Sequence, residues 1–171
     1  MHEFTNETID ISKLPKIEEI SFSKLHSSYW NVILFYTVLL FIIIGIGLTI
    51  GIYNIEEWEE NSSIIGIAYV VLLLITFLFT RMSFKKKAFA FRNHDVLFRY
   101  GIIATNTVVI PYNRVQHVSL HEGVVSRYFG LATVQIFTAG GSSSDIEIPG
   151  IQKEQAENIK QLLMGKIQKE L

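Results

Sequence analysis

The sequence predicts a membrane-anchored α+β fold, in which a two-helix transmembrane hairpin is followed by a small β-barrel closed by a C-terminal amphipathic helix. Three observations carry this prediction. Two long apolar segments lie in the first half of the chain, short alternating segments lie in the second half, and the last twenty residues repeat apolar side chains at helical spacing. We therefore predict an N-terminal arm (1–28), a hairpin (29–84) with a short acidic loop (54–63), and a domain (85–171).

The composition excludes several kinds of site before any motif is considered. The chain has 171 residues and no cysteine, which excludes disulfides, iron–sulfur clusters, thiolate metal sites and a cysteine nucleophile. Its formal net charge is −1, so no overall positive charge favours nucleic acid as a partner. Hydrophobic residues make up 49% of the chain and are concentrated in the two apolar segments, which favours a membrane protein.

The two apolar segments are long enough to cross a bilayer. Residues 31–53 contain no charged side chain over 23 positions, and a helix that rises about 1.5 Å per residue covers a hydrocarbon core of roughly 30 Å over that length. Residues 64–80 are shorter and reach across if their flanking residues contribute. Because the link between the segments is too short for a domain, the two helices are expected to form an antiparallel hairpin.

Basic residues lie on one side of the predicted hairpin. The loop 54–63 has four glutamates and neither lysine nor arginine. The basic residues are Lys13, Lys16 and Lys24 before the first segment and Arg81, Lys85, Lys86 and Lys87 after the second. Since positively charged flanks stay in the cytoplasm, we predict a multi-pass protein with both termini cytoplasmic and the glutamate loop outside.

Alternating segments in the second half of the chain predict about six short strands. We place them at residues 88–92, 96–100, 107–110, 114–121, 131–139 and 145–149. Within 114–121, alternation puts Gln116, Val118 and Leu120 on one face and Val115, His117, Ser119 and His121 on the other. Residues 152–171 follow as a helix whose single apolar stripe needs a sheet to lie on.

Three stretches of the domain resemble a known family. IPYNRVQHVSL, EGVVSRYFGLATVQIFTAGG and EIPGI, with the two upstream spans, are similar to the pattern of the bacterial pleckstrin-homology-like (PH-like) membrane proteins of the YdbS-like family. The resemblance implies a PH-like β-barrel of two near-orthogonal antiparallel sheets, capped by the C-terminal helix, in a bacterial inner (plasma) membrane. The matching residues that we expect to be mainly structural are Pro111, Arg114, Gln116, Arg127, Gly130, Leu131, Gly140, Gly141, Pro149 and Gly150.

The motifs do not favour an enzyme. His117 and His121 lie four residues apart on a predicted strand, so their rings are about 13 Å apart and too distant to share one metal ion. Three serines follow Gly140 and Gly141 without a G-x-S-x-G pattern, and no Walker motif is present. We therefore expect no catalytic residue, no metal and no cofactor.

The basic cluster after the second span is one candidate site, for anionic lipid headgroups. Its members are Arg81, Lys85, Lys86 and Lys87, and each basic side chain at an anionic leaflet contributes about 1 kcal/mol. The same residues also set membrane topology, and both interpretations stay open. In a phosphoinositide-binding pattern of the eukaryotic PH type, Lys87 and Arg99 would be the first and last basic residues. The middle basic position of that pattern is occupied by Leu97, so the pattern is broken.

The second candidate site is a face for a protein partner. Val115, His117, Ser119 and His121 mix apolar and polar groups, as an interface does, although a solvated face would look the same. The resemblance implies a small subunit that accompanies membrane proteins carrying PH-like domains, in envelope maintenance or stress resistance. We therefore predict a non-enzymatic adaptor or assembly subunit that docks such a partner or a second copy of itself. The alternative is a membrane domain that senses anionic lipid.

The N-terminal arm lies outside the resemblance, which begins near residue 25. It is mixed in charge and contains Pro15. Two interpretations stay open: the arm is disordered, or it packs against the barrel through Ile17, Ile20 and Phe22.

Overall fold

Two long helices form the predicted hairpin. The computed structural model describes residues 17–139 and 146–170, together with residue 8. Helix α1 (Tyr29–Asn54) and helix α3 (Ser62–Lys86) are both long and apolar enough to cross a membrane, and a short helix α2 (Glu56–Glu60) joins them. The Tyr69 hydroxyl donates to the Phe41 carbonyl at 2.8 Å, which ties the two long helices together. Most of the large apolar side chains of these two helices are exposed, as expected of helices that face lipid.

The domain consists of two antiparallel sheets and a C-terminal helix, as the predicted PH-like fold requires. The first sheet has the order β1 (Ser23–Lys24), β2 (Ala88–Phe91), β3 (Asp95–Tyr100) and β4 (Asn106–Pro111). The second has the order β5 (Val115–His121), β6 (Leu131–Thr138) and β7 (Ile146–Gln152). A short helix α4 (Val124–Tyr128) connects β5 to β6, and helix α5 (Lys153–Glu170) follows β7.

The first sheet combines a strand that precedes the hairpin with strands that follow it. Ser23 pairs with Phe89 and Lys24 pairs with Ala88, so the strand that precedes α1 completes the sheet that follows α3. Only Lys87 separates the end of α3 from β2. The predicted division into a separate arm and domain therefore cuts through this sheet, because a two-residue strand has no pattern by which alternation could reveal it.

One core fills the space between the two sheets and α5. Val96 from the first sheet, Val134 and Ile148 from the second, and Leu163 from α5 are all fully buried in the same cluster. Ala156 is also buried, which confirms that the apolar stripe of the predicted helix lies on the sheets. The domain is therefore held mainly by apolar burial between its three layers.

A β-bulge changes which side chains of β5 face outward. Val115 pairs with Thr138 whereas His117 pairs with Phe137, so Gln116 is an extra residue on this strand. Because the extra residue reverses the alternation, Val115 is 5% exposed and belongs to the core, while Gln116 is exposed. The predicted placement of Val115 on the outward face, and of Gln116 opposite it, is therefore wrong.

Candidate functional site

The base of the hairpin rests on the second sheet. Gly150 in β7 has a φ of +65°, and a Cβ atom at this position would lie 2.4 Å from Cγ of Tyr29. Glycine therefore provides both the left-handed backbone and the space for the Tyr29 ring. The backbone N–H of His26 donates to the Gly150 carbonyl at 2.8 Å, and the side chains of His26 and Gln152 approach to 3.1 Å. The first turn of α1 is thus fixed to β7.

Aromatic rings join the two helices where they enter the domain. The Phe84 ring on α3 lies 6.5 Å from the Tyr29 ring and 5.8 Å from the Trp30 ring. Tyr29 and Phe84 also pack against the domain core. The hairpin and the domain are therefore connected by continuous packing.

The four basic headgroup candidates are not equivalent. The Arg81 guanidinium lies over the Trp30 ring at 4.7 Å from its centroid, and the Lys86 ammonium donates to the Ile102 carbonyl at 2.6 Å. Lys85 is exposed, whereas Lys87 is half-buried and burial lowers the pKa of its ammonium. Arg81 and Lys86 thus make contacts within the protein, and Lys85 has the most open position for a headgroup.

Lys87 lies in a cleft between the two sheets. The cleft has a volume of about 440 Å³ and also contains the Glu147 carboxylate, so its two charged groups have opposite signs. The residues lining it are Tyr29, Lys87, Phe98, Tyr100, Thr133, Ile146, Glu147 and Pro149. A carboxylate in the same cleft opposes binding of an anionic headgroup there.

The positions of the phosphoinositide pattern are occupied by structural contacts. Leu97 is fully buried, so a basic residue there would lie in the interior. The Arg99 guanidinium stacks over the Phe22 ring at 4.0 Å from its centroid, which also shows that the end of the arm packs against the first sheet. Ile17, in contrast, is 42% exposed.

The outward face of the second sheet brings together the remaining partner-face candidates. His117 stacks on Phe137 with ring centroids 4.1 Å apart, and His121 lies opposite Thr133. Ser119 donates to Oε1 of Gln135 at 2.9 Å, and Nε2 of Gln135 donates to Oε1 of Glu147 at 2.9 Å. A half-buried aromatic ring thus lies beside a polar ladder that crosses all three strands.

Two motif residues shape the crossing from the first sheet to the second. Pro111 ends β4 with a φ of −63° and starts the 3-10 turn Tyr112–Arg114. The Arg114 carbonyl accepts the N–H of Ala139 at 3.3 Å, while the side chains of Arg114 and Gln116 are exposed. Backbone groups of Arg114 and the bulge at Gln116 thus contribute to this crossing.

The other motif residues shape the connection from β5 to β6 and the start of α5. Gly130 has a φ of +64° and its carbonyl accepts the N–H of Lys153 at 3.0 Å, while Leu131 is buried. Arg127 is exposed and lines a polar groove of about 610 Å³ with Glu122 and Lys153, which form an ion pair at 3.0 Å. Pro149 lines the cleft beside Gly150, and Gly140 and Gly141 lie outside the described residues.

Sequence reasoning did not find two residues that organise the site. Tyr112 is 1% exposed, and its hydroxyl donates to the Arg92 carbonyl at 2.6 Å. The sequence places Tyr29 only at the start of the predicted hairpin, whereas its ring packs on Gly150 in the structure. The sequence feature that could have indicated a structural role for Tyr112 is its position between two family motif residues, Pro111 and Arg114. Within residues 17–139 and 146–170, no group of three or more His, Asp or Glu side chains could hold a metal ion.

Comparison with known proteins identifies related sequences. A family model described as bacterial PH domain matches residues 32–167. The chain is 27% identical over 124 residues to the UPF0699 transmembrane protein YdbS of Bacillus subtilis (strain 168), over 72% of this chain and 75% of that protein. No solved structure matches. These findings confirm the resemblance carried by the three motif stretches. With the two exposed apolar helices, the transmembrane relative shows that this is a membrane protein.

Proposed function

We propose that this chain, which belongs to the bacterial PH domain family, is a non-enzymatic membrane adaptor or assembly subunit. Its domain docks a protein partner, either a membrane protein that carries PH-like domains or a second copy of itself. The observation that carries this proposal is the outward face of the second sheet, where His117 covers the half-buried Phe137 ring beside the polar ladder from Ser119 to Glu147. An outward face with an aromatic anchor and hydrogen-bonded polar groups suits protein recognition.

The junction with the hairpin supports docking at a fixed position. Since Tyr29 packs on Gly150 and one residue links α3 to β2, this face is presented at a defined height and angle to the membrane. Two membrane-anchored partners that meet in this way diffuse in two dimensions with their faces already oriented. Pre-orientation reduces the entropy that association costs.

We further propose that the membrane is the bacterial plasma membrane and that both termini are cytoplasmic. The support is the asymmetry between the glutamates of the external loop and the basic residues around Arg81 and Lys85. Single cysteines at Glu60 and Leu162 test this, because the chain has no native cysteine. In intact cells an impermeant thiol reagent should label the Glu60→Cys variant and spare the Leu162→Cys variant. The opposite pattern would contradict the topology.

The alternative function is sensing of anionic lipid by the basic cluster. The exposed position of Lys85 favours it, whereas the internal contacts of Arg81 and Lys86 and the carboxylate of Glu147 beside Lys87 oppose it. The two functions predict different variant behaviour. Replacing Lys85, Lys86 and Lys87 by glutamine should abolish a lipid sensor and leave an assembly mostly intact.

Native mass spectrometry of the full chain, gently extracted from its own membranes, tests the proposal. We expect a fixed stoichiometric complex that is lost in His117→Glu and retained in Val109→Glu. Val109 is a matched control because it is an exposed strand residue of the other sheet. A monomer that retains one class of anionic lipid, and loses it when the three lysines are replaced, would instead establish the lipid sensor.

A further inference from the structure

Three apolar side chains of the domain are far more exposed than the others. Ile103 is 93% exposed, Val124 is 83% exposed and Tyr128 is 86% exposed. Among the described residues of the domain, the next most exposed large apolar side chain is Leu162, at 48%. Solvent exposure at this level is costly for apolar surface, so the position of the three side chains is informative.

All three lie at the end of the domain that faces the membrane. Strand β2 starts one residue after α3, and its first residue Ala88 pairs with Arg99 near the end of β3. The loop 101–105, which carries Ile103, therefore returns to the base of α3, where Lys86 donates to the Ile102 carbonyl at 2.6 Å. In the second sheet, Leu131 at the start of β6 pairs with Gln152, beside the junction with α1. Helix α4 precedes β6 and thus lies at the same end.

Helix α4 lies directly beside the first membrane span. It contacts α1, and Phe129 at its end lines an open apolar hollow of about 440 Å³ against that span. The span residues in this hollow are Asn31, Leu34, Phe35, Val38, Leu39 and Ile42. Phe129 therefore lies against the apolar side chains that follow Trp30 on α1.

We propose that α4 and the loop 101–105 insert into the leaflet on either side of the hairpin. Val124 and Tyr128 are four residues apart and share one face of α4, so they enter the lipid together with Phe129. Tyrosine suits this depth, because its ring is apolar and its hydroxyl reaches the headgroups. Arg127, on the same short helix, lines the polar groove with Glu122 and Lys153, which keeps its charge out of the acyl region. The occupant of the apolar hollow is the acyl region of the membrane that the hairpin already spans.

Spin labels on single cysteines test this insertion in the full chain. We would label Ile103→Cys, Val124→Cys and Tyr128→Cys in liposomes of zwitterionic and anionic lipid. Leu162→Cys is the control, because α5 leads away from the membrane: Lys166 donates to the Asn93 carbonyl in the turn at the far end of β2. Collision with lipid-soluble oxygen and with a water-soluble nickel chelate then reports the depth of each label.

The expected result is a severalfold higher ratio of oxygen to nickel collisions at the three test positions than at the control position 162. Equal ratios at all four positions would overturn the proposal. Dipolar broadening between labels at 124 or 128 on different molecules would also overturn it, because this face would then be an interface between copies.

Discussion

The two sheets of the domain consist of similar short antiparallel strands, yet they meet the membrane hairpin differently. The first sheet is continuous with the hairpin in sequence, since β1 shortly precedes α1 and β2 directly follows α3. The second sheet meets the hairpin by packing, where Tyr29 lies over Gly150. Its outward face also carries His117, Ser119 and Gln135.

This difference separates two tasks within one small domain. The chain links β1 to α1 and α3 to β2, and these two links restrict the position of the first sheet. The packing of Tyr29 on Gly150 in the second sheet then fixes the rotation of the whole domain about the hairpin. The second sheet is thereby held still while its outer face stays available. A partner that binds this face meets a preorganised surface, which lowers the entropic cost of association.

The largest expected effect comes from two positions on the same strand. Val115→Glu places a carboxylate in the core, and an uncompensated buried charge costs about 3–5 kcal/mol. His117→Glu changes an exposed side chain and should cost about 1 kcal/mol or less, through the lost contact with Phe137. Thermal unfolding in nanodiscs measures both. Similar losses for the two variants would mean that the bulge at Gln116 is absent and that the face assignment is wrong.

The next effect separates backbone strain from packing at the junction. Gly130 and Gly150 have nearly the same φ, +64° and +65°, but nothing lies within 4 Å of a Cβ at Gly130. Gly130→Ala should therefore cost only the left-handed strain of about 1–2 kcal/mol. Gly150→Ala should cost about 1–3 kcal/mol more, because its Cβ overlaps Tyr29. The difference in the free energy of unfolding checks this, and adding Tyr29→Ala should reduce it.

A smaller effect is expected at Tyr112, which follows β4 and donates hydrogen bonds to the turn between β2 and β3. Tyr112→Phe removes the hydroxyl that donates to the Arg92 carbonyl and should cost about 0.5–1.5 kcal/mol. The fold of the domain should persist, since the ring keeps its buried position. Hydrogen exchange of the β2 and β3 amides measures the loss. No change there would show that water replaces the bond without cost.

The pH dependence of Tyr112 provides a finer test. Burial raises the pKa of Tyr112 to about 12, from the ordinary value of 10.0. Because the fold favours the neutral phenol, the contribution of Tyr112 is fully present below pH 10.0 and is lost as the pH rises towards 12. The free energy of unfolding should therefore fall more steeply over this range in the wild type than in Tyr112→Phe. Parallel curves would contradict the assignment.

The sequence predicts the elements of this protein better than their contacts. The spans, α5 and six of the seven strands found in the described part of the chain follow from apolar runs and periodicity, which are local properties. Ser23 and Lys24 carry no such pattern, and their strand exists because Ala88 and Phe89 lie beside them after more than sixty intervening residues. Pairing at this distance is decided by the folded structure and not by local propensity.

The candidate site was predictable in part for the same reason. His117, Ser119 and His121 lie on the outward face as predicted, but the period of two cannot locate an inserted residue, so Val115 was misplaced. The basic cluster was evident from its charges. Its internal contacts were not, because the Trp30 ring and the Ile102 carbonyl come from distant parts of the chain.

The central claim is that the domain has one fixed orientation relative to the hairpin. The most direct test is the distance distribution between spin labels at Glu60→Cys in the loop and Leu162→Cys on α5, measured in nanodiscs. A matched variant with a flexible glycine–serine insertion after Lys87 provides the reference for a loose attachment. We predict one narrow distribution for the native junction and a broad one for the insertion variant. A native distribution as broad as that of the insertion variant would contradict the claim.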